Sequence, residues 1–138
     1  MFTNLKSYSN LFEQMEEAGE WTDFAEIPEF LVQNLIANNF PTPFPVQSAV
    51  ISNFFSSDRD LAIGFPTGSG KTLSYLIPLI TSLYQRIVPR FRQLILVPNR
   101  ELALQVFNVA SSLLPVLLKM EYKYQLIQEF FDHVGRNK

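Results

Sequence analysis

The sequence predicts an α/β fold in which parallel strands alternate with flanking helices. Residues 60–63, which contain the apolar run Leu61-Ala62-Ile63, are predicted to form a short strand that leads into a glycine-rich loop, and a helical pattern begins at Lys71. A second apolar run, almost continuous, covers 93–97 and is again followed by a helical pattern. An order of strand, helix, strand, helix favours crossover connections between parallel strands.

Length and composition indicate one small globular domain. The chain has 138 residues, of which 47% are apolar, so there is material for a core. A net charge of −2 argues against coating nucleic acid by bulk charge, although a few arginines can still form a local site. The sequence has no cysteine, and its single histidine, His133, cannot build a histidine-rich metal site. It shows neither a membrane-length apolar run nor a signal pattern, so we expect a soluble intracellular protein.

Two helices are predicted before the glycine loop, after an N-terminal stretch, 1–20, that also has helical spacing. Pro28 followed by Glu29 is a favourable helix start. This helix should stop before Asn38, and the prolines that follow keep 40–44 extended until Pro45 opens the next helix. The apolar sides are predicted at Leu31, Leu35 and Ile36 in the first helix and at Val46, Val50 and Phe54 in the second.

Three further helices and a strand are predicted after the loop. In the helix from Lys71, Pro78 should cost a hydrogen bond or cause a kink. The run 93–97 is typical of a strand buried on both faces. A helix from about Asn99 should end at Pro115, and another amphipathic pattern covers 126–134. Predicted buried positions are Leu73, Leu76, Ile77, Ile80 and Leu83 in the first of these helices and Leu102, Val106 and Leu113 in the second.

The glycine loop, TGSGKT at 67–72, has the sequence and context of a phosphate-binding loop, because it closes a predicted strand and opens a helix. Gly68 and Gly70 allow backbone N–H groups to point inward, and the helix start adds the positive end of its dipole. Lys71 can reach the β- and γ-phosphates, and Thr72 can offer its hydroxyl to Mg²⁺. Phe65 departs from the pattern, which usually has a small residue six positions before the lysine.

A proline-rich segment upstream, FPTPFPVQ at 40–47, has the chemistry of an adenine site. The amide of Gln47 can pair with the exocyclic amine and N7 of adenine, and Phe40 can stack on the base. The segment resembles the Q motif of DEAD-box RNA helicases, with Asn39 in place of the usual glycine and Phe44 in place of threonine. That family has a further aromatic residue upstream, for which Trp21 and Phe24 both stay open.

The segment after the second apolar run, PNRELA at 98–103, resembles motif Ia of the same family, with Asn99 in place of threonine. The resemblance implies that Arg100 contacts an RNA phosphate, assisted by the helix N-terminus. The implied RNA-binding residues are Pro98, Asn99, Arg100 and Glu101. The implied nucleotide-binding residues are Phe40, Gln47, Thr67, Gly68, Ser69, Gly70, Lys71 and Thr72, with Lys71 and Thr72 catalytic and Thr72 the Mg²⁺ ligand.

The resemblance implies a partial RecA-like P-loop NTPase domain over 28–115, an N-terminal extension over 1–27 and a divergent helical tail over 116–138. It implies ATP and Mg²⁺ as cofactors, RNA as partner and a monomeric chain away from membranes. The form Phe-Pro-Val-Gln is similar to that of nucleolar helicases of large ribosomal subunit assembly. We therefore expect pre-ribosomal particles as partners and a nuclear or nucleolar location, or otherwise a cytoplasmic one.

Motifs that the family needs for hydrolysis do not occur in the sequence. We find neither Asp-Glu-Ala-Asp nor the Ser-Ala-Thr segment after Leu104. We therefore expect a truncated helicase that binds ATP without hydrolysing it, and whose strands at 61–65 and 93–97 have exposed edges. Two alternatives remain at this stage: an inactive nucleotide-binding fragment, and another P-loop enzyme such as a small kinase.

Overall fold

A computed structural model of the chain describes residues 19–84 and 92–114. It has two compact units, Met1–Leu96 and Val97–Lys138. The helices predicted over 1–20 and 126–134 lie outside the described residues. Within the described ranges, no helix combines the length and apolar character that crossing a bilayer requires. The helical elements of these two ranges are a 3₁₀ helix, Trp21–Asp23, and four α-helices: α1 Glu29–Ala37, α2 Pro45–Ser56, α3 Lys71–Tyr84 and α4 Arg100–Leu113.

Helix α1 ends where the sequence predicted, through a left-handed residue. Asn39 has φ of 64°, and its N–H donates to the Ile36 carbonyl at 3.1 Å. The next N–H, of Phe40, reaches back to the Leu35 carbonyl at 2.9 Å. These two bonds form a Schellman motif, which usually has glycine at the left-handed position. Asparagine is among the few other residues that adopt this conformation readily, so it can replace the family's glycine.

The core of the first unit forms where α2 packs against α3, and α1 and the 3₁₀ helix contribute side chains to it. Burial on the predicted apolar sides is confirmed for most positions. The prediction of burial is wrong for Ile36, which is 54% exposed. It is only partly right for three half-buried residues, Phe54, Leu83 and Leu102. Ile36 lies about 100° around the helix from buried Leu35. Among the described residues of this unit, the buried apolar side chains other than proline are Trp21, Ile27, Leu31, Leu35, Val46, Val50, Ile51, Leu73, Leu76, Ile77 and Ile80.

Helix α3 carries Pro78 in its interior, as predicted, and the proline is fully buried. Since proline has no N–H, it leaves the Ser74 carbonyl without its usual helical donor. At the other end of the helix, Arg92 donates to the Ser82 carbonyl at 3.0 Å and Gln93 donates to the Leu79 carbonyl at 2.9 Å. The first bond satisfies a terminal carbonyl of α3, and both bonds fasten the following segment to the helix.

The two predicted strands are absent, and this prediction was wrong for the described residues. Neither 60–63 nor 93–97 is assigned to a strand. The second run is also not buried on both faces, because Leu94 is 81% exposed and Leu96 is 82% exposed. A strand exists only through a hydrogen-bonded ladder with a neighbour. An apolar run identifies side chains that favour burial, but it does not supply the partner that would cover them. The expectation of exposed strand edges is not tested, because neither segment is a strand.

Candidate nucleotide-binding site

The glycine loop turns sharply just before α3, as its sequence predicted. Gly68 has φ of 81° and Gly70 has φ of 84°, both in the left-handed region. The hydroxyl of Ser69, between them, is buried without a hydrogen-bond partner. Such an unpaired group is uncommon in a folded protein and calls for a ligand, water or ion to complete it. The loop therefore has the backbone reversal and the orphan donor that suit a bound anion.

Lys71 folds back over the loop that precedes it. Its ammonium donates to the Phe65 carbonyl and to the Pro66 carbonyl, each at 2.7 Å. A lysine ammonium has three donors, so these bonds use two of them. Phe65, the residue that departs from the family pattern, thus contributes a backbone carbonyl that holds the lysine. We refer to this arrangement of Lys71 with the carbonyls of Phe65 and Pro66 as the lysine clasp.

Gln47 joins the proline-rich segment to the glycine loop. Its Oε1 accepts from the Phe44 N–H at 2.7 Å, and its Nε2 donates to the Gly70 carbonyl at 3.2 Å. The side chain is only 2% exposed. Gln47 is the third residue of α2, and its bond to Phe44 is the return half of a capping box. The amide predicted to select adenine therefore lies inward, where it ties the start of α2 to the start of α3.

Phe44 is a site residue that the sequence analysis noted only as a replacement for threonine. A Cβ built on Gly70 would meet the amide nitrogen of Gln47, and would lie 2.8 Å from Cδ2 of Phe44. The Phe44 ring, 52% exposed, thus covers the glycine from one side. Gly68 has open space around it. The close approach of two segments makes Gly70, and not Gly68, sterically obligatory as well as conformationally favoured.

Thr72, predicted to hold Mg²⁺, is half-buried in the first turn of α3. Its side chain forms a hydrogen bond with that of Tyr75, three residues along the helix. Burial raises the pKa of the Tyr75 phenol above its ordinary value, and the bond with Thr72 acts in the opposite direction. The phenol is therefore neutral in the physiological range and can restrain the threonine hydroxyl. The spacing of three residues on a helix is the only sequence signal for this pair.

The two upstream aromatic residues have different environments. Trp21 is 2% exposed, and its indole N–H donates to the Phe40 carbonyl at 2.8 Å. Phe24 is half-buried and lines a surface cleft with Trp21, Ile27 and neighbouring residues. Phe40 is also half-buried, so part of its ring reaches the surface. Of the two open candidates, Phe24 is therefore the accessible one, and Trp21 has a structural partner instead.

The predicted RNA-binding residues lie at the start of α4, in the second unit. The side-chain Oδ1 of Asn99 accepts from the Leu102 N–H at 2.8 Å and thereby caps the helix. All four residues, Pro98–Glu101, are exposed. The cap uses the oxygen of the Asn99 amide and leaves its NH₂ group directed away from that bond. This N-terminus thus presents donors to the outside.

No group of acidic, histidine or cysteine side chains suited to a metal ion occurs in 19–84 or 92–114. A hydroxyl such as that of Thr72 is by itself a weak ligand. Mg²⁺ in nucleotide sites usually keeps several waters and is bound together with substrate phosphates. His133 lies outside the described residues. Any Mg²⁺ at this loop would therefore arrive with the nucleotide.

The glycine loop and the upstream glutamine together are typical of a class of nucleotide-dependent proteins. The profile of the DEAD/DEAH box helicase family matches residues 44–132, and the chain belongs to this family. Similar proteins include the ATP-dependent RNA helicase DDX51 of Mus musculus, 36% identical over 110 residues. The ATP-dependent RNA helicase DBP6 of Candida albicans is 42% identical over 96 residues, and DBP10 of Mycosarcoma maydis is 44% identical over 86.

These relatives are much longer than the chain. The alignment with DDX51 covers 68% of the chain but 17% of the mouse protein. For DBP6 the figures are 62% and 16%, and for DBP10 they are 60% and 8%. The chain thus spans less than a fifth of the length of the relatives that it matches. No solved structure matches the chain significantly.

Proposed function

We propose that this chain is the ATP-binding and RNA-contacting part of a DEAD-box ATP-dependent RNA helicase. The observation that carries the proposal is the bond from the Gln47 amide to the Gly70 carbonyl. It joins the segment that resembles an adenine site to the loop that resembles a triphosphate site. The same amide also closes the capping box of α2, and its bond to Gly70 holds the two segments side by side.

The triphosphate side of the proposed site consists of Thr67–Thr72. The left-handed glycines and the α3 N-terminus supply backbone N–H donors for phosphate oxygens. The Lys71 ammonium would exchange its two carbonyl partners for phosphate oxygens, and the orphan hydroxyl of Ser69 has capacity for another contact. When Mg²⁺ is bound with the nucleotide it neutralises phosphate charge, and the Thr72 hydroxyl, restrained by Tyr75, would be its protein ligand.

The base side of the proposed site consists of Phe40 and Gln47. The exposed part of the Phe40 ring can stack on adenine. The buried Gln47 amide is positioned by its two protein bonds, and its second N–H and second lone pair are the groups left to recognise the base edge. An adenine at this position would find its complementary donors and acceptors already oriented.

The RNA side is proposed at Pro98–Glu101, where α4 begins. Arg100 is exposed in the first helical turn, and the Asn99 NH₂ group remains after the cap is made. Such contacts go to phosphates and position a strand without reading its sequence. We further propose a RecA-like domain over 28–115, an extension over 1–27, a tail over 116–138, and a role on pre-ribosomal particles in the nucleolus.

The chemistry proposed for this chain is binding and orientation. Its 138 residues contain no Asp-Glu-Ala-Asp sequence to orient an attacking water. Phosphoryl transfer depends on such positioning and on charge stabilisation at the transferred group. We therefore expect the isolated chain to bind ATP with little RNA-stimulated hydrolysis.

The proposal is tested by calorimetric titration of the 138-residue chain with ATP, GTP and inorganic triphosphate, each with Mg²⁺. ATP should bind more tightly than GTP. Lys71→Ala should weaken ATP and triphosphate alike by about 10- to 100-fold, the loss expected for a charge-assisted contact. Gln47→Ala should reduce the preference for ATP over GTP. Equal binding of all three ligands by the wild type and Lys71→Ala would reject the proposed site.

A further inference from the structure

The segment that follows Gln93 leaves its apolar side chains uncovered. Leu94 is 81% exposed, Ile95 39% and Leu96 82%. This alternation has the two-residue period of an extended backbone, in which side chains 94 and 96 leave on one side and side chain 95 on the other. Two large leucines therefore lie side by side at the surface, with a less exposed isoleucine between them.

The backbone of the same residues is unpaired. Within 19–84 and 92–114, no hydrogen bond involves the backbone N–H or carbonyl of Leu94, Ile95 or Leu96. Water can satisfy such groups, but a run of unpaired donors and acceptors on extended backbone is also a template for another strand. The exposed leucines thus coincide with the backbone groups that a partner strand would use.

Side-chain bonds fix the N-terminal end of this segment. Arg92 donates to the Ser82 carbonyl at 3.0 Å, and the Gln93 amide donates to the Leu79 carbonyl at 2.9 Å and to the Ser82 hydroxyl at 2.7 Å. The three apolar residues therefore start from a fixed point on α3. Binding through a segment that is already restrained loses less conformational entropy than binding through a free one.

The sequence of this segment is complementary to itself. In an antiparallel pair centred on Ile95, Leu94 of one copy lies opposite Leu96 of the other, and the same contact occurs again on the other side of the centre. A two-fold interface requires this repetition of each contact. Residues 93–97 contain no charged side chain, so no like charges oppose the pairing. The lack of positive charge also makes these residues a poor surface for a nucleic-acid strand.

We propose that residues 94–96 form a dimerisation strand, which pairs antiparallel with the same residues of a second copy of this chain, centred on Ile95. The interface is separate from the proposed nucleotide and RNA sites, and it departs from the monomer that the family resemblance implied. Stable interfaces bury about 1,200–2,000 Å², which is more than a few paired residues provide. The dimer should therefore be weak, with a Kd between about 1 μM and 1 mM.

The test uses the absence of cysteine from the chain, so that one introduced thiol reports on one position. Ile95→Cys, Leu94→Cys and Leu96→Cys are each treated with dibromobimane, which bridges neighbouring thiols. Ser52→Cys, at an exposed position of α2, measures crosslinking by random collision. Ile95→Cys should crosslink with itself well above this background, because opposite positions of paired strands have Cβ atoms about 4.5–5.5 Å apart.

The other two thiols test the register of the pair. Leu94→Cys and Leu96→Cys should each crosslink poorly alone and efficiently as an equimolar mixture, in which mass spectrometry identifies heterodimers when one variant carries ¹⁵N. Equal self-crosslinking of all three variants would indicate parallel strands and overturn the antiparallel arrangement. Crosslinking of Ile95→Cys at the level of Ser52→Cys would overturn the interface itself.

A charge pair tests the same register without thiols. Leu94→Lys and Leu96→Glu change exposed side chains, so both variants should keep the circular dichroism of the wild type. In sedimentation velocity each should dimerise more weakly than the wild type, because the charge faces a leucine in both contacts. Their equimolar mixture should regain association, since ammonium then faces carboxylate once and leucine faces leucine once. A mixture no stronger than either variant would contradict the proposal, as would a wild type that is monomeric at about 1 mM or forms open-ended assemblies.

Discussion

Gln47 and Gly70, 23 residues apart, are joined by a hydrogen bond of 3.2 Å from side-chain amide to backbone carbonyl. The same carbonyl accepts from the Ser74 N–H at 3.2 Å, which is the bond that starts α3. Gly70 is therefore the point where helix initiation, loop reversal and the proline-rich segment meet. A substitution at either residue should therefore alter the contacts of the other.

Gly70→Ala should be more destabilising than Gly68→Ala. Both substitutions place a side chain at left-handed φ, which costs about 1–2 kcal/mol. At Gly70 the new Cβ also meets Gln47 and Phe44, whereas at Gly68 it meets open space. Chemical denaturation should show that the free energy of unfolding falls by about a further 1–3 kcal/mol for Gly70→Ala. In a Gln47→Ala background this excess should shrink, and equal losses in both backgrounds would contradict the steric account.

Gln47→Ala should lower the free energy of unfolding by about 1–3 kcal/mol, because it leaves the part-buried N–H of Phe44 without its acceptor and removes the bond to Gly70. Gln47→Glu keeps an acceptor for Phe44 but replaces the donor with a carboxylate oxygen that faces the Gly70 carbonyl. We expect Gln47→Glu to be destabilised at neutral pH and to recover as the carboxylate is protonated in acid. A pH-independent loss for this variant would contradict the contact.

Asn39→Gly should be neutral or slightly stabilising, and Asn38→Gly should be destabilising. Asn39 already occupies left-handed backbone, where glycine has no steric penalty. Asn38 has φ of −93° and donates from its side chain to the Asn34 carbonyl at 2.7 Å, so glycine there only removes interactions. Asn39→Ala should cost about 1 kcal/mol. Thermal melting of the three variants checks this order, and a reversed order of the two glycine variants would refute it.

Replacing Leu94 and Leu96 together by serine should leave stability almost unchanged and reduce self-association. Both side chains are more than four-fifths exposed, at 81% and 82%, so little burial is lost. Exposed apolar clusters next to unpaired backbone favour association. Light scattering after gel filtration measures the change. Leu76→Ala is the control, since truncation of this buried leucine should lower the free energy of unfolding by about 2–5 kcal/mol. Equal association by the serine variant and the wild type would contradict this role.

Alkaline pH should destabilise the wild type more than Tyr75→Phe. Burial raises the pKa of Tyr75 in the folded protein above 10.0, its value in the absence of structure. The stabilisation is thus complete below pH 10 and is lost as pH rises through the folded pKa. Melting temperatures between pH 8 and about 11 test this, since the phenol of a tyrosine in an unfolded chain titrates near 10. Tyr84→Phe, at an exposed phenol, should follow the wild type. Identical pH profiles for wild type and Tyr75→Phe would contradict it.

Helix boundaries were predictable because their causes are local. Pro28 and Pro45 have the fixed φ that suits a helix start, Asn99 carries a capping oxygen, and the Asn39 region ends α1. Each of these signals acts within about four residues. These signals can therefore be recognised in the sequence without knowing which distant residues pack against them.

The strands and the contacts of the site were not predictable in this way, because they depend on distant residues. Whether 93–97 forms a strand depends on a second strand that hydrogen-bonds to it. The apolar run itself does not identify that second strand. The partners of Gln47 and Trp21 lie 23 and 19 residues away. Residue type indicated that Gln47 has donors and an acceptor, but only the folded chain shows that Gly70 and Phe44 use them.

If the loop binds triphosphate as proposed, the lysine clasp requires that the phosphates enter by exchange. An ammonium already satisfied by the carbonyls of Phe65 and Pro66 gives up those partners when phosphate oxygens replace them. The binding free energy then reflects the difference between the contacts of the Lys71 ammonium with phosphate and its contacts with the two carbonyls. The release rate of a nucleotide should accordingly depend on how readily those carbonyls recapture the lysine. Residues on the N-terminal side of the glycines thereby become determinants of how long the loop stays occupied.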